Sequence, residues 1–261
     1  MPELEREPLL EVKGLSKRFG GVQAVDDFNA VINRNHLVGI IGPNGAGKTT
    51  ILNLLSGVYP CNCGQIIFQG RDIAGWKPYQ ISRQGMTRTF QNIRLFGDMS
   101  VLDNVKIAYS WQAEYGMLQA MIGLRGVGRK ERELEERALH WLDRVGLAGH
   151  RADMAGSLPY GLQRRVELAR ALAGEPKLLL LDEPAAGLNP AEVREFIALI
   201  ERLFSELGLS IILIEHRMEV VMRLCHWIYV QDFGRTIGQG TPEQIRKDPV
   251  VIKAYLGEEF E

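Results

Sequence analysis

Gly42-Pro43-Asn44-Gly45-Ala46-Gly47-Lys48-Thr49 follows a short apolar run, 36–41, and precedes a helical pattern that reaches about residue 57. The stretch has the complete P-loop form, in the strand–loop–helix setting that gives the pattern its meaning. Its glycines let the backbone curl, so that successive N–H groups converge on phosphate oxygens. The helix that opens near Gly47 adds the positive end of its dipole. Lys48 is suited to the β- and γ-phosphates, and the Thr49 hydroxyl to Mg²⁺. These eight residues and Thr50 are the expected contacts of a nucleoside triphosphate.

Working outward, 177–181 is a continuous apolar run that ends in Asp182-Glu183. Such a run suits a parallel strand buried on both faces, and ligands bind beyond the carboxyl ends of such strands. Asp182 is the candidate Mg²⁺ ligand, directly or through water, and Glu183 the group that polarises attacking water. Residues 65–69 and 210–214 read as further strands. In 191–207, Val193, Phe196, Ile197, Ile200 and Phe204 share one helical face. This strand–helix alternation predicts an α/β core with a parallel sheet. From 100 to about 173 no strand is expected, and the charged run 129–137 with the apolar Ala138, Leu139, Leu142 and Val145 reads as an amphipathic helix. That stretch is expected to be a helical subdomain, 100–173, inserted into a core of 1–99 and 174–261. Residues 117–124 could touch a membrane surface, but packing inside this subdomain is the simpler reading. Thr241-Pro242-Glu243-Gln244 predicts a capped helix, and Asp248-Pro249 a second one that ends near Gly257.

The remaining composition excludes several classes. The chain has 261 residues, 46% hydrophobic and 24% charged, which is ordinary globular composition. Its 31 basic and 32 acidic residues leave a net charge of -1, so no broad nucleic-acid surface is expected. No apolar run approaches the roughly 20 residues of a bilayer-spanning helix. The acidic, polar start, 1–8, does not read as a secretory signal. Cys61, Cys63 and Cys225 read as free thiols in a reducing compartment.

Four further stretches complete a recognisable order: Thr89-Phe90-Gln91-Asn92, Leu158-Pro159-Tyr160-Gly161-Leu162-Gln163, Gly187-Leu188-Asn189-Pro190 and Ile214-Glu215-His216. With the P-loop, they resemble the ATP-binding subunits of ABC transporters over nearly the whole chain. Arg18-Phe19-Gly20-Gly21, Ala185-Ala186-Gly187-Leu188 and Tyr255-Leu256-Gly257-Glu258 are similar to the ATPases of bacterial branched-chain amino acid importers. The resemblance implies a P-loop core with an amino-terminal antiparallel β region and an inserted helical subdomain. It implies Mg²⁺-dependent ATP hydrolysis that energises uptake of branched-chain or related amino acids. The alternatives are a lipid or lipopolysaccharide exporter ATPase and a soluble, non-transport ATPase of the same family.

Roles follow from the resemblance. Phe19 would stack on adenine, Gln91 would join Mg²⁺ and the attacking water to the helical subdomain, and His216 would sense the γ-phosphate. Lys48, Gln91, Glu183 and His216 form the catalytic set; Thr49, Gln91 and Asp182 hold the metal. Gly161 would face the nucleotide of a second ATPase subunit, the same chain or a homologue, because two subunits pack head to tail around two ATPs. Integral-membrane permease subunits would be the direct partners at the cytoplasmic face, a periplasmic or extracellular substrate-binding protein an indirect one, and nucleic acid none. The apolar Phe90, Ile93, Leu95, Phe96 and Met99 either offer a groove beside Gln91 to a permease helix or cap the helical subdomain's own core. Two positions depart from the family pattern: Leu162 stands where glutamine is usual, and Arg217 where an acidic residue is common.

Overall fold

The computed structural model describes residues 8–109 and 127–256, which divide into two compact units. The first combines Met1–Gln91 with Lys177–Glu261, and the second is Asn92–Pro176. The expectations placed on 1–7, 117–124, Gly257 and Glu258 fall outside the described residues.

The first unit holds two sheets. The larger runs β10-β9-β3-β8-β7-β6, where β3 is Leu37–Ile41, β6 Met86–Arg88, β7 Leu178–Asp182, β8 Ser210–Ile214, β9 Trp227–Asp232 and β10 Arg235–Gly240. All pairs are parallel except β9–β10, which closes the edge as a hairpin. Every residue of β3, β7 and β8 is buried, as helix-covered parallel strands require. Of the expected elements, 210–214 and the two capped terminal helices, Pro242–Lys247 and Pro249–Leu256, are found. The Pro190–Leu207 helix buries Val193, Phe196, Ile197 and Ile200 as expected; Leu199 and Leu203 complete the face, while Phe204 is only half-buried.

The second sheet runs β2-β1-β4-β5 and is antiparallel: β1 is Leu10–Phe19, β2 Val22–Ile32, β4 Cys63–Phe68 and β5 Arg71–Asp72. It is the antiparallel β region that the resemblance implied. The 65–69 run, expected within the strand–helix alternation, belongs here instead. One apolar cluster joins both sheets to the Lys48–Leu55 helix, drawing on Leu10, Phe28, Phe68, Ile51, Leu52, Val38 and Ile212. The P-loop helix is thus anchored by its buried face, with its open end left for a ligand.

In the second unit, the described residues form no strand, only an isolated bridge between Ser100 and Met154. The helices Val101–Lys106, Val127–Arg144 and Tyr160–Ala173 pack on one another. Fully buried Asn104 fixes the preceding loop: its Oδ1 accepts from Phe96 N, and its Nδ2 donates to the carbonyls of Phe96 and Ser100. Phe96 is left half-exposed on that loop. No helix of the described residues is long and apolar enough to cross a membrane.

Candidate functional site

The parallel register brings the chemistry to one edge. Ile40 pairs with Ile214, and Asp182 also pairs with Ile214, so the segments after β3, β7 and β8 leave the sheet side by side. β6 runs parallel to β7 and delivers Thr89–Gln91 to the same edge. This is where open α/β sheets bind ligands.

The P-loop owes its shape to three glycines with positive φ: Gly42 at 147°, Gly45 at 79° and Gly47 at 96°. A Cβ on Gly42 would lie 2.0 Å from Gln231 O, and one on Gly47 2.2 Å from Ala24 O; one on Gly45 would meet nothing. Gly42 and Gly47 therefore carry both a steric and a torsional requirement, and Gly45 only the torsional one. Gly47 caps the Lys48–Leu55 helix with no side chain, which leaves the first-turn N–H groups to an anion. Lys48 is buried, and its Nζ donates to the carbonyls of Gly42 and Pro43 at 2.6 Å each.

Across the edge, Glu183 has φ 47°, a left-handed conformation rare for a side-chain-bearing residue. Its N–H donates to Ile214 O at 2.9 Å, which continues the β7–β8 ladder by one bond. Its Oε2 accepts from Gln91 Nε2 at 2.8 Å and lies 3.8 Å from His216 Nδ1. Gln91, Glu183 and His216, far apart in the chain, thus meet at one carboxylate oxygen. A cleft of about 470 Å³ is lined by Val22–Ala24, residues 44–50, Gln91, Glu183 and Phe233. Asn44, Gly45, Ala46, Gly47, Lys48, Thr49, Thr50, Gln91 and Glu183 therefore share one cavity.

Phe19 does not line that cleft. It ends β1 as the cross-strand partner of Val22, and its ring meets Tyr59 edge to face at 5.3 Å. Gly161 belongs to the second unit, in the first turn of the Tyr160–Ala173 helix, whose N-cap Pro159 supplies no side-chain bond. There, Gln163 Nε2 turns back to Leu158 O at 2.8 Å, Tyr160 OH accepts from buried Arg164 at 2.8 Å, and Leu162 is half-buried.

Three residues that sequence reasoning left without a role help to build the edge. Arg88, at the end of β6, donates to Asp182 Oδ2 at 2.7 Å and to Asn53 Oδ1 and Ser56 Oγ at 2.8 and 3.0 Å. It ties the buried carboxylate to the P-loop helix. Glu215, fully buried, accepts from Ala185 N at 2.8 Å and from the N–H groups of His216 and Arg217 at 3.2 and 3.3 Å. Burial pushes its carboxyl above the usual range, against the pull of those N–H groups. Arg217 donates to Leu188 O at 2.9 Å, so the departure from the family pattern is a second tie between the His216 loop and the segment after Glu183.

The donor set suits Mg²⁺. Thr49, Gln91 and Asp182 offer oxygens, the hard ligands this ion prefers. Among the described residues no group of three His, Cys, Asp or Glu could cage a metal. Mg²⁺ is usually bound by one or two protein carboxylates together with substrate phosphates and waters.

Comparison with known proteins bears on the whole arrangement. A family model described as ABC transporter matches residues 25–186, and one described as branched-chain amino acid ATP-binding cassette transporter matches 235–261. The chain is 46% identical over 251 residues to the high-affinity branched-chain amino acid transport ATP-binding protein BraF of Pseudomonas aeruginosa, covering 96% of this chain and 98% of the relative. It is 44% identical over 252 residues to the corresponding Escherichia coli protein LivG, covering 97% and 99%. A crystal structure of the ADP conformation of an ATP-binding cassette of an ABC transporter superposes with a TM-score of 0.83 at 29% identity, covering 96% of this chain and 99% of that one.

Proposed function

The chain belongs to the ABC transporter family, and from that membership we propose that it hydrolyses ATP to drive import of branched-chain or related amino acids. The carboxy-terminal match over 235–261 and the relatives' printed names favour this importer reading over the exporter alternative. The two units act as the nucleotide-binding core and the helical subdomain of one ATPase domain. Permease subunits are the partners at the cytoplasmic face of the membrane, with a second ATPase subunit completing each site through Gly161 and a substrate-binding protein acting indirectly.

The observation that carries the mechanism is the meeting of Gln91, Glu183 and His216 beside the P-loop cleft. The P-loop N–H groups and Lys48 bind and orient the β- and γ-phosphates. Glu183 accepts a proton from water as that water attacks the γ-phosphorus; the bond to the β-bridging oxygen breaks, giving ADP and phosphate. Gln91 bonds the Glu183 carboxylate, His216 stands 3.8 Å from it, and both reach the γ-phosphate region, so loss of that phosphate is felt in both loops. Thr49, Gln91 and Asp182 would hold Mg²⁺, which neutralises charge on the phosphate oxygens when bound.

Glu183→Gln keeps the shape and removes the basic oxygen. Its turnover falls by about 10²–10⁴-fold, while ATP affinity stays within a few-fold and the ATP-bound dimer accumulates in mass measurements. Near-normal turnover would overturn the assignment. Co-purification with two membrane subunits, and leucine uptake by vesicles containing them, tests the transport half separately.

A further inference from the structure

We propose that Phe233 packs against the nucleoside of the bound triphosphate and adds to its affinity, an inference that rests on the reading of the P-loop cleft as the nucleotide site. Phe233 is 87% exposed and has φ 42°. A large apolar ring in water, on a left-handed backbone, is unfavourable on both counts and marks a position worth a functional explanation.

The backbone that carries the ring is held in place by its neighbours. Phe233 sits at the tip of the β9–β10 hairpin. Gly234 N donates to Ala46 O at 3.1 Å, and Gly234 O accepts from Asp26 N at 2.8 Å. Arg235 Nε adds an ion pair with Asp26 Oδ2 at 2.8 Å. A Cβ on Gly234 would come within 3.0 Å of Gln23 O and 3.1 Å of Ala24 O, so the tip lies directly on the strand that lines the cleft. The hairpin is therefore bonded to the P-loop and to the start of β2 together, and Phe233 takes its place in the cleft lining.

The chemistry of the cleft gives the direction. Lys48, Gln91 and Glu183 mark where the γ-phosphate reacts. The sugar and base must leave past the rest of the lining, and outside the P-loop its apolar part is Val22, Ala24 and Phe233. An aromatic face there suits a purine of any sequence of hydrogen-bonding groups. Phe19, beyond Val22 and engaged with Tyr59, is a separate aromatic near the same flank.

The test uses the full chain and two probes, ATP and inorganic tripolyphosphate, each with Mg²⁺, titrated by calorimetry. Tripolyphosphate reads the phosphate cradle without a base. Phe233→Ala is expected to weaken ATP about tenfold and leave tripolyphosphate within twofold. Phe233→Gly, which suits the positive φ, gives the same loss, so relief of backbone strain is not the cause. Phe233→Trp restores ATP affinity. Unchanged ATP affinity in Phe233→Ala overturns the inference, as does equal weakening of both probes, which would mean that the ring acts through the Gly234–Ala46 bond. If tripolyphosphate binds wild type and Lys48→Ala equally, the cleft is not the phosphate site; the nucleotide reading then fails and this inference with it.

Discussion

The P-loop and the carboxylate edge serve the same cleft, but they are held in different ways. The P-loop closes largely on itself: Ala46 N bonds Pro43 O, and Lys48 bonds the carbonyls five and six residues before it, with one long tie from Gly234 N to Ala46 O. The carboxylate edge is assembled across the chain. Arg88 reaches Asp182 over 94 positions, Gln91 reaches Glu183 over 92, and Glu215 reaches Ala185 over 30. A cradle for a constant group can be local. Ties between separate segments let a change at one loop move another.

Cutting the long-range ties is the most severe way to test that contrast. Arg88→Met removes one member of an ion pair whose side chains are 5% and 1% exposed. We expect a loss of about 3–5 kcal/mol in urea unfolding, because a buried carboxylate loses its counter-ion. Arg88→Met with Asp182→Asn should cost clearly less than the sum of the two single changes. Strict additivity would mean that the pair does not hold the edge together.

An intermediate effect separates the P-loop glycines. Gly45→Ala meets only the left-handed backbone cost, about 1–2 kcal/mol. Gly47→Ala adds a Cβ 2.2 Å from Ala24 O and should cost about 3 kcal/mol, with ATP affinity lost in parallel. Equal losses at the two positions would show that Gly47, like Gly45, is governed by torsion alone.

The smallest effect sharpens the comparison at Arg217. Arg217→Ala removes one bond to Leu188 O, worth about 1 kcal/mol. Turnover should fall by up to about fivefold, with KM for ATP unchanged, since the tie orients the segments around Glu183 and His216 and leaves the phosphate cradle alone. A raised KM at constant turnover would place Arg217 on the binding side.

Legibility in the sequence follows the same division. The P-loop, the buried β7 and β8 and the capped terminal helices were readable because their determinants lie within a few residues. β1 and β2 were not readable from their own residues: their pairing is interrupted between Val12 and Leu15, Leu15 and Lys17, and Lys17 and Arg18, which breaks the two-residue period that marks a strand. Glu183 could be read from the apolar strand that it follows, but Gln91 and His216 only through the order of motifs in a resembling family. Arg88 carried no signal, since a basic residue at a strand end looks the same whether it meets water or a carboxylate 94 positions away. Phe233 was equally silent, because exposure is not written in a residue's type.

The sequence by itself determined the phosphate cradle, the α/β core and the family to which the chain belongs, because glycine torsions, apolar runs and motif spacing are local properties of the chain. Only the tertiary structure decided which side chains stand around the cradle. It bonded Gln91 to one oxygen of Glu183 with His216 Nδ1 3.8 Å from that oxygen, bound Asp182 to the P-loop helix through Arg88, and put Phe233, not Phe19, in the cleft lining. Those outcomes depend on strand register: Asp182 and Ile40 both pair with Ile214, and a shift by one residue would reverse the faces and separate the group.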